Sequence, residues 1–206
     1  MTPDRRPPLE LLEPGVARGL VARFRLTALL GRFPERQIWA AFMFINGLVS
    51  IGLLAGLAML TRTPMVFPSL GPTAFLFFFT PTLPTASPRN TIYGHIIGIA
   101  CGYGALWLMG LQHAPPAMVM GVDLPRIGAA ALSLAATGAL MILFKAAHPP
   151  AGATTLIISL GIITKPMHLA IMLVAVALLT IQAIVLNRLA GIDYPLWAKR
   201  AAPDKG

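Results

Sequence analysis

The chain has 206 residues, 56% of them hydrophobic and only 11% charged, with a mean hydropathy of +0.75. Soluble domains carry about 25% charged residues, so this composition excludes a soluble domain and points to a polytopic membrane protein. The net charge of +9 is concentrated towards the two ends of the chain, which argues against a nucleic-acid surface and for basic flanks on the cytoplasmic side of a membrane.

Residues 1–36 form a basic N-terminal segment, with Arg5, Arg6, Arg18, Arg23, Arg25, Arg32 and Arg36 set against four acids. The stretch is too long and too polar to be a cleavable signal. Within it, 15–33 mixes Arg with Leu, Val and Phe, a pattern that fits either an interfacial helix or a leader without fixed structure. The transmembrane domain is expected over 37–189 and a cytoplasmic tail over 190–206. A first apolar span over 38–60 exceeds the ~18–20 residues that cross a bilayer as a helix. On it Asn46 and Ser50 share one face, and Gly52 and Gly56 repeat at the same interval.

A short motif follows, Pro68-Ser69-Leu70-Gly71-Pro72-Thr73, leading into an apolar stretch that ends at Thr80. The next span, 91–111, carries Gly94, Gly98 and Gly102 at every fourth residue, a face that admits another helix closely. The loop 112–125 holds no Lys or Arg. A span over 126–146 comes next, and after it the motif returns as Pro149-Pro150-Ala151-Gly152-Ala153-Thr154. Its apolar stretch runs to Ile163, and a last span, 167–189, is expected to face lipid most.

Corresponding motif residues lie 81 apart, so the chain reads as two three-segment repeats, 38–111 and 124–189. Each has the order long span, broken half-helix, long span. Paired broken helices in matched positions mark a transport site at the repeat interface. The fold expected is all-α, with inverted repeats and six crossings. The alternative is four spans plus two re-entrant segments. The charge rule favours six crossings, because they put Arg89 and Lys145 inside and the loop without Lys or Arg outside.

Proline is tolerated in a first helical turn, where its missing N–H has no partner to lose. The amides of Ser69, Leu70 and Gly71, and of Ala151, Gly152 and Ala153, are therefore expected as free donors. The Ser69 hydroxyl is expected to cap. Gly71 and Gly152 would open the backbone to a ligand, and Thr73 and Thr154 would each add a hydroxyl. A helix N-terminus built this way suits a small anion. His148 could sense a proton, bind the anion when charged, or cap the second half-helix. Arg89, Asn90 and His95 could line an entrance, and Asn46 is read as a packing amide. Four scattered His and one Cys give no metal-ligand spacing. No span interior holds a carboxylate, which argues against cation pumping and against an aspartyl hydrolase. A Ser69–histidine hydrolase finds no nucleophile-elbow pattern.

The His148-Pro149-Pro150 triplet with its continuation to Thr155, the Ser69–Ala74 stretch, and Ser87-Pro88-Arg89-Asn90 followed by Gly94, His95 and Gly98 resemble the HPP family of integral membrane proteins. The likeness covers about 35–190. It implies a small bacterial or plastid-type membrane protein, and members in photosynthetic lineages are associated with nitrite transport. The expectation is a non-enzymatic small-anion transporter or channel of a bacterial inner membrane, multi-pass, with both termini cytoplasmic. It would need no cofactor and would sit in lipid as a homo-oligomer. A non-transporting membrane scaffold, or an intramembrane Ser/His enzyme, is the competing reading.

Overall fold

The computed structural model describes residues 26–30 and 33–198, and among these its regular structure is all helical, with no strand. Most of the basic N-terminal segment and the end of the basic tail lie outside the described residues. In chain order the helices are α1 (Leu26–Leu30), α2 (Glu35–Thr61), α3 (Leu70–Phe79), a 3-10 turn (Pro84–Ala86), α4 (Pro88–Leu108), α5 (Ala117–Met120), α6 (Leu124–Leu143), α7 (Ala151–Ser159) and α8 (Pro166–Leu189). Four of them, α2, α4, α6 and α8, are long and apolar enough to cross a membrane, at 27, 21, 20 and 24 residues.

Local chemistry sets the boundaries. α4 opens on Pro88, and the Ser87 hydroxyl accepts from the Asn90 amide at 3.4 Å. α6 starts at the Asp123 carboxylate, which accepts from the Arg126 amide at 2.8 Å. α8 starts on Pro166, and α2 ends where Arg62 turns left-handed at φ 52°. Each motif opens a short helix, α3 after Pro68 with Pro72 in its first turn, and α7 after Pro149 and Pro150. α3 has ten residues and α7 nine, so each spans roughly 15 Å, half of a ~30 Å hydrocarbon core.

Two sets of bonds gather helix ends together. In the first, Arg89 donates to the carbonyls of Lys145 and Phe144, Asn187 to that of Phe77, and the Tyr194 hydroxyl to that of Ala86. These join the start of α4 to the end of α6, and the end of α3 to the end of α8 and the 3-10 turn. In the second, Arg126 donates to Ser159 O and Pro115 O, and the Ala117 amide to Leu160 O. These join the start of α6 to the end of α7 and to the loop after α4.

The glycine face of α4 is where packing is tightest. A Cβ at Gly94 would lie 2.6 Å from His148 Cβ, one at Gly98 2.8 Å from Ala151 O, and one at Gly102 2.8 Å from Thr155 O. Real Cβ atoms do not approach this closely, so α7 and the turn before it lie against α4 only because those positions are glycine. The glycines of α2 are different: nothing lies within 4 Å of a Cβ at Gly47, Gly52 or Gly56. No neighbouring element among the described residues approaches these positions closely enough to require glycine. The last span also departs from expectation. α8 threads Met172, Val176 and Leu179 into the core against Phe77 and Phe78, and 39% of its most apolar stretch is buried, against 17% for α2. α2 is the most exposed of the four spans; its main packing partners among the described residues are α3, α8 and the short α1.

Candidate functional site

The two motifs deliver Thr73 and Thr154 to the same point. Each is the fourth residue of its half-helix, and each is fully buried. His95, from the middle of the buried face of α4, stands between them. Its Nε2 lies 3.1 Å from Thr73 Oγ1 and its Nδ1 2.9 Å from Thr154 Oγ1. His148, in the turn before α7, reaches the same hydroxyl, with Nε2 3.3 Å from Thr73 Oγ1. The two imidazoles sit 5.1 Å apart between centroids, tilted at 52°, and both are fully buried.

Around this core the hydrogen bonds are directional. His148 Nδ1 lies 2.8 Å from the Thr85 carbonyl and 3.3 Å from Thr91 Oγ1. Thr91 gives its own hydrogen to Ser87 O at 3.0 Å, so both neighbours of Nδ1 are acceptors. Thr73 likewise reaches back to Ser69 O at 3.0 Å, the i−4 bond that Thr makes inside helices. Beside the cluster, Thr137 of α6 and Thr155 of α7 share a 2.9 Å bond. Polar atoms buried within a membrane domain are costly unless paired, and here eleven hydrogen-bonding groups pair among themselves.

The free amides expected at the second motif are not there. The amides of Ala151, Gly152 and Ala153 donate to the carbonyls of His148, Pro149 and Pro150 at 3.0, 2.9 and 3.1 Å. These i−3 bonds tighten the first turn and use up donors that an α-helical start would leave open. At the first motif, Leu70 N is taken by Phe67 O in the same way, at 2.9 Å. Ser69 makes no side-chain cap. Its Oγ is buried and without a partner among the described residues, so neither histidine is hydrogen-bonded to it. A Cβ at Gly71 would meet open space, and one at Gly152 only Leu134 Cδ1 at 3.4 Å. Both glycines thus turn away from the cluster.

Of the residues expected at an entrance, His95 lies in the cluster itself. Arg89 and Asn90 stand at the start of α4 and clamp the chain that carries His148. Arg89 holds Phe144 O and Lys145 O, and Asn90 Nδ2 reaches Ala147 O at 3.3 Å. Asn46 bonds to the Phe42 carbonyl one turn back, at 2.7 Å. Sequence reasoning passed over Thr91 and the Thr137–Thr155 pair. Thr91 stands four residues before His95 on one helix face, a spacing that could have marked it. The carbonyl of Thr85 carries no sequence signal. No group of three His, Cys, Asp or Glu side chains that could hold a metal occurs among the described residues.

Four apolar spans with polar side chains gathered on a buried seam define a polytopic helical membrane protein. The family model described as "HPP, transmembrane region" matches residues 33–195, and the chain belongs to that family. No curated protein and no solved structure matches it.

Proposed function

We propose that the protein is a small-anion transporter or channel of a bacterial inner membrane, acting on nitrite or a similar monovalent anion. The observation that carries this reading is the meeting of both motif threonines at His95, with His148 on the same hydroxyl. The hydroxyl and imidazole hydrogens there, paired with one another in this state, can turn to an anion, and the positive ends of two half-helices stand behind them. The only acids among the described residues are Glu35, Asp123 and Asp193, all at helix ends or in loops, so nothing anionic competes there. Binding rests on the side chains of Thr73, Thr154, His95 and His148 rather than on the amides of Ala151 to Ala153.

The same reading takes the chain as two inverted repeats crossing six times, with both termini in the cytoplasm. Supporting it, α3 ends beside Asn187 and the start of α4, while α7 ends beside Arg126 and the loop after α4. Half-helices that end at opposite ends of the bundle and begin at one cluster fit inverted repeats better than two re-entrant segments entering from one side. The remaining parts of this reading are that it is not an enzyme, needs no cofactor, and works as a homo-oligomer in lipid.

The test is uptake of nitrite, nitrate, formate and chloride by proteoliposomes. The expected result is uptake of at least one anion above protein-free vesicles. Thr73→Val and Thr154→Val should each lower the rate by roughly 10- to 100-fold, the loss of one hydrogen bond to a charged ligand. A folded protein that moves none of the four anions would sink the transporter reading. Uptake indifferent to both substitutions would move the site elsewhere.

A further inference from the structure

We propose that the cluster takes up one proton together with the anion, so that the protein carries the anion of a weak acid and a proton as an electroneutral pair. This rests on the anion-transport reading above.

The hydrogen bonds themselves assign the protons. A carbonyl can only accept, so the 2.8 Å bond to Thr85 O puts a hydrogen on His148 Nδ1. Thr91 Oγ1, whose hydrogen is committed to Ser87 O, accepts from the same N–H. The neutral His148 ring therefore carries its lone pair on Nε2, facing Thr73 Oγ1 at 3.3 Å. Thr73 has one hydrogen and two acceptors for it, His148 Nε2 and Ser69 O. With its hydrogen on either of these, the Thr73 oxygen presents only lone pairs to His95 Nε2; that bond then needs the hydrogen on Nε2, which leaves the His95 lone pair on Nδ1 to accept from Thr154. The result is a directed chain, Thr154 to His95 to Thr73 to His148 to the Thr85 carbonyl, joining both half-helices.

Of the two imidazole lone pairs, on His148 Nε2 and His95 Nδ1, that of His148 is poised to accept a proton. Thr73 can turn its hydrogen to Ser69 O, while Thr154 has no second acceptor among the described residues. When a proton from water on one side reaches His148 Nε2, the Thr73 hydrogen turns to Ser69 O. The N–H groups of both histidines then point at the Thr73 oxygen. The new positive charge is buried. On the elements around it the charged and titratable groups are few. Arg89 of α4 is bound to Phe144 O and Lys145 O, and Lys145 is exposed. Arg126 of α6 serves the far end of α7, on Ser159 O. Tyr194 is bound to Ala86 O. On α8, Arg188 binds Tyr194 O and His168 stands in the first turn. α3, α7 and the 3-10 turn carry no titratable side chain. No carboxylate faces the cluster, so an imidazolium there has no counter-ion within the described residues.

An unpaired charge held out of water is strongly disfavoured, and a monovalent anion beside it removes that cost. Proton and anion therefore raise each other's affinity by the same factor, and both leave together on the other side. The proton on Nε2 departs with the anion, and the Thr73 hydrogen returns to Nε2.

Two measurements on the full chain test this. In the first, sodium nitrite and sodium formate are titrated calorimetrically in buffers of different ionisation heat. Uptake of close to one proton per anion is expected near neutral pH, and its loss in His148→Gln. Should that variant fail to fold, His148→Asn, which likewise lacks the protonatable ring nitrogen, takes its place. In the second, proteoliposomes are clamped with potassium and valinomycin. Anion accumulation is expected to rise about tenfold per unit of imposed pH gradient and to ignore voltage. Binding without proton uptake, or accumulation that follows voltage and not pH, overturns the coupling and leaves anion transport standing. Equal proton uptake in a folded His148 variant and the unmodified protein also overturns it. Absence of binding and uptake for nitrite, nitrate, formate and chloride overturns the transport reading and the coupling with it.

Discussion

Asn187 and Tyr194 show how single polar side chains fix the far end of the first half-helix. Asn187 Nδ2 donates to Phe77 O at 3.1 Å, and the Tyr194 ring packs edge-on against Phe77 at 6.2 Å between centroids. Asn187→Leu should leave the Phe77 carbonyl buried and unpaired, at about 1–3 kcal/mol. A lowered melting temperature in detergent would register this, and an unchanged one would mean that the carbonyl finds another donor. For Tyr194, burial pushes the phenol up from its ordinary range. The folded state therefore favours the neutral phenol. Its contribution is complete below the unfolded value near ~10 and is lost as pH climbs above it. Tyr194→Phe should cost about 0.5–1.5 kcal/mol at neutral pH, through the lost bond to Ala86 O. It should also flatten the fall in melting temperature above ~pH 10. At this scale the sequence marked Thr73 and Thr154 by their shared offset, and His148 by its place before two prolines. It did not mark Thr91 or the Thr85 carbonyl, because a hydrogen-bond partner from another element leaves no local pattern.

The helices divide by what their glycines meet. On α4, Gly94, Gly98 and Gly102 let the α7 segment lie at backbone contact, and a methyl group at Gly98 would press on the carbonyl of Ala151. Backbone cannot swing aside as a flexible side chain can. Gly98→Ala should therefore destabilise by about 1–3 kcal/mol, an overpacking cost, and should disturb Thr154 and His95 as well. Gly56→Ala on α2 meets open space and should be neutral or stabilising by about 0.5–1 kcal/mol, since alanine favours the helix. Thermal denaturation of the pair in one detergent separates a packing glycine from an idle one; equal losses would contradict the contact geometry. Spans and half-helices were legible as elements, since apolar runs and paired prolines are local signals. The first turn of α7 was not. Whether an early amide is free or bonded at i−3 depends on how tightly the turn winds, and that depends on what α7 packs against.

For the whole molecule, the directions of the two half-helices matter most. Cysteines at His113 and Leu83, introduced in a Cys101→Ala background, decide the topology. With six crossings and cytoplasmic termini, His113→Cys reacts with an impermeant thiol reagent from outside and Leu83→Cys does not. Four crossings reverse the two results. Composition, four long apolar spans and the spacing of 81 residues came from the chain alone, because hydrophobicity and proline or glycine breaks act on neighbours in sequence. What only the tertiary structure decided is that residues 73, 95, 148 and 154 share one hydrogen-bonded cluster. Sequence offset can pair two motifs, but it cannot say which faces turn inward. That depends on the glycine seam of α4, which draws α7 and His148 against His95, and on the core around Phe77 and Met172, which sets α3 on the other side.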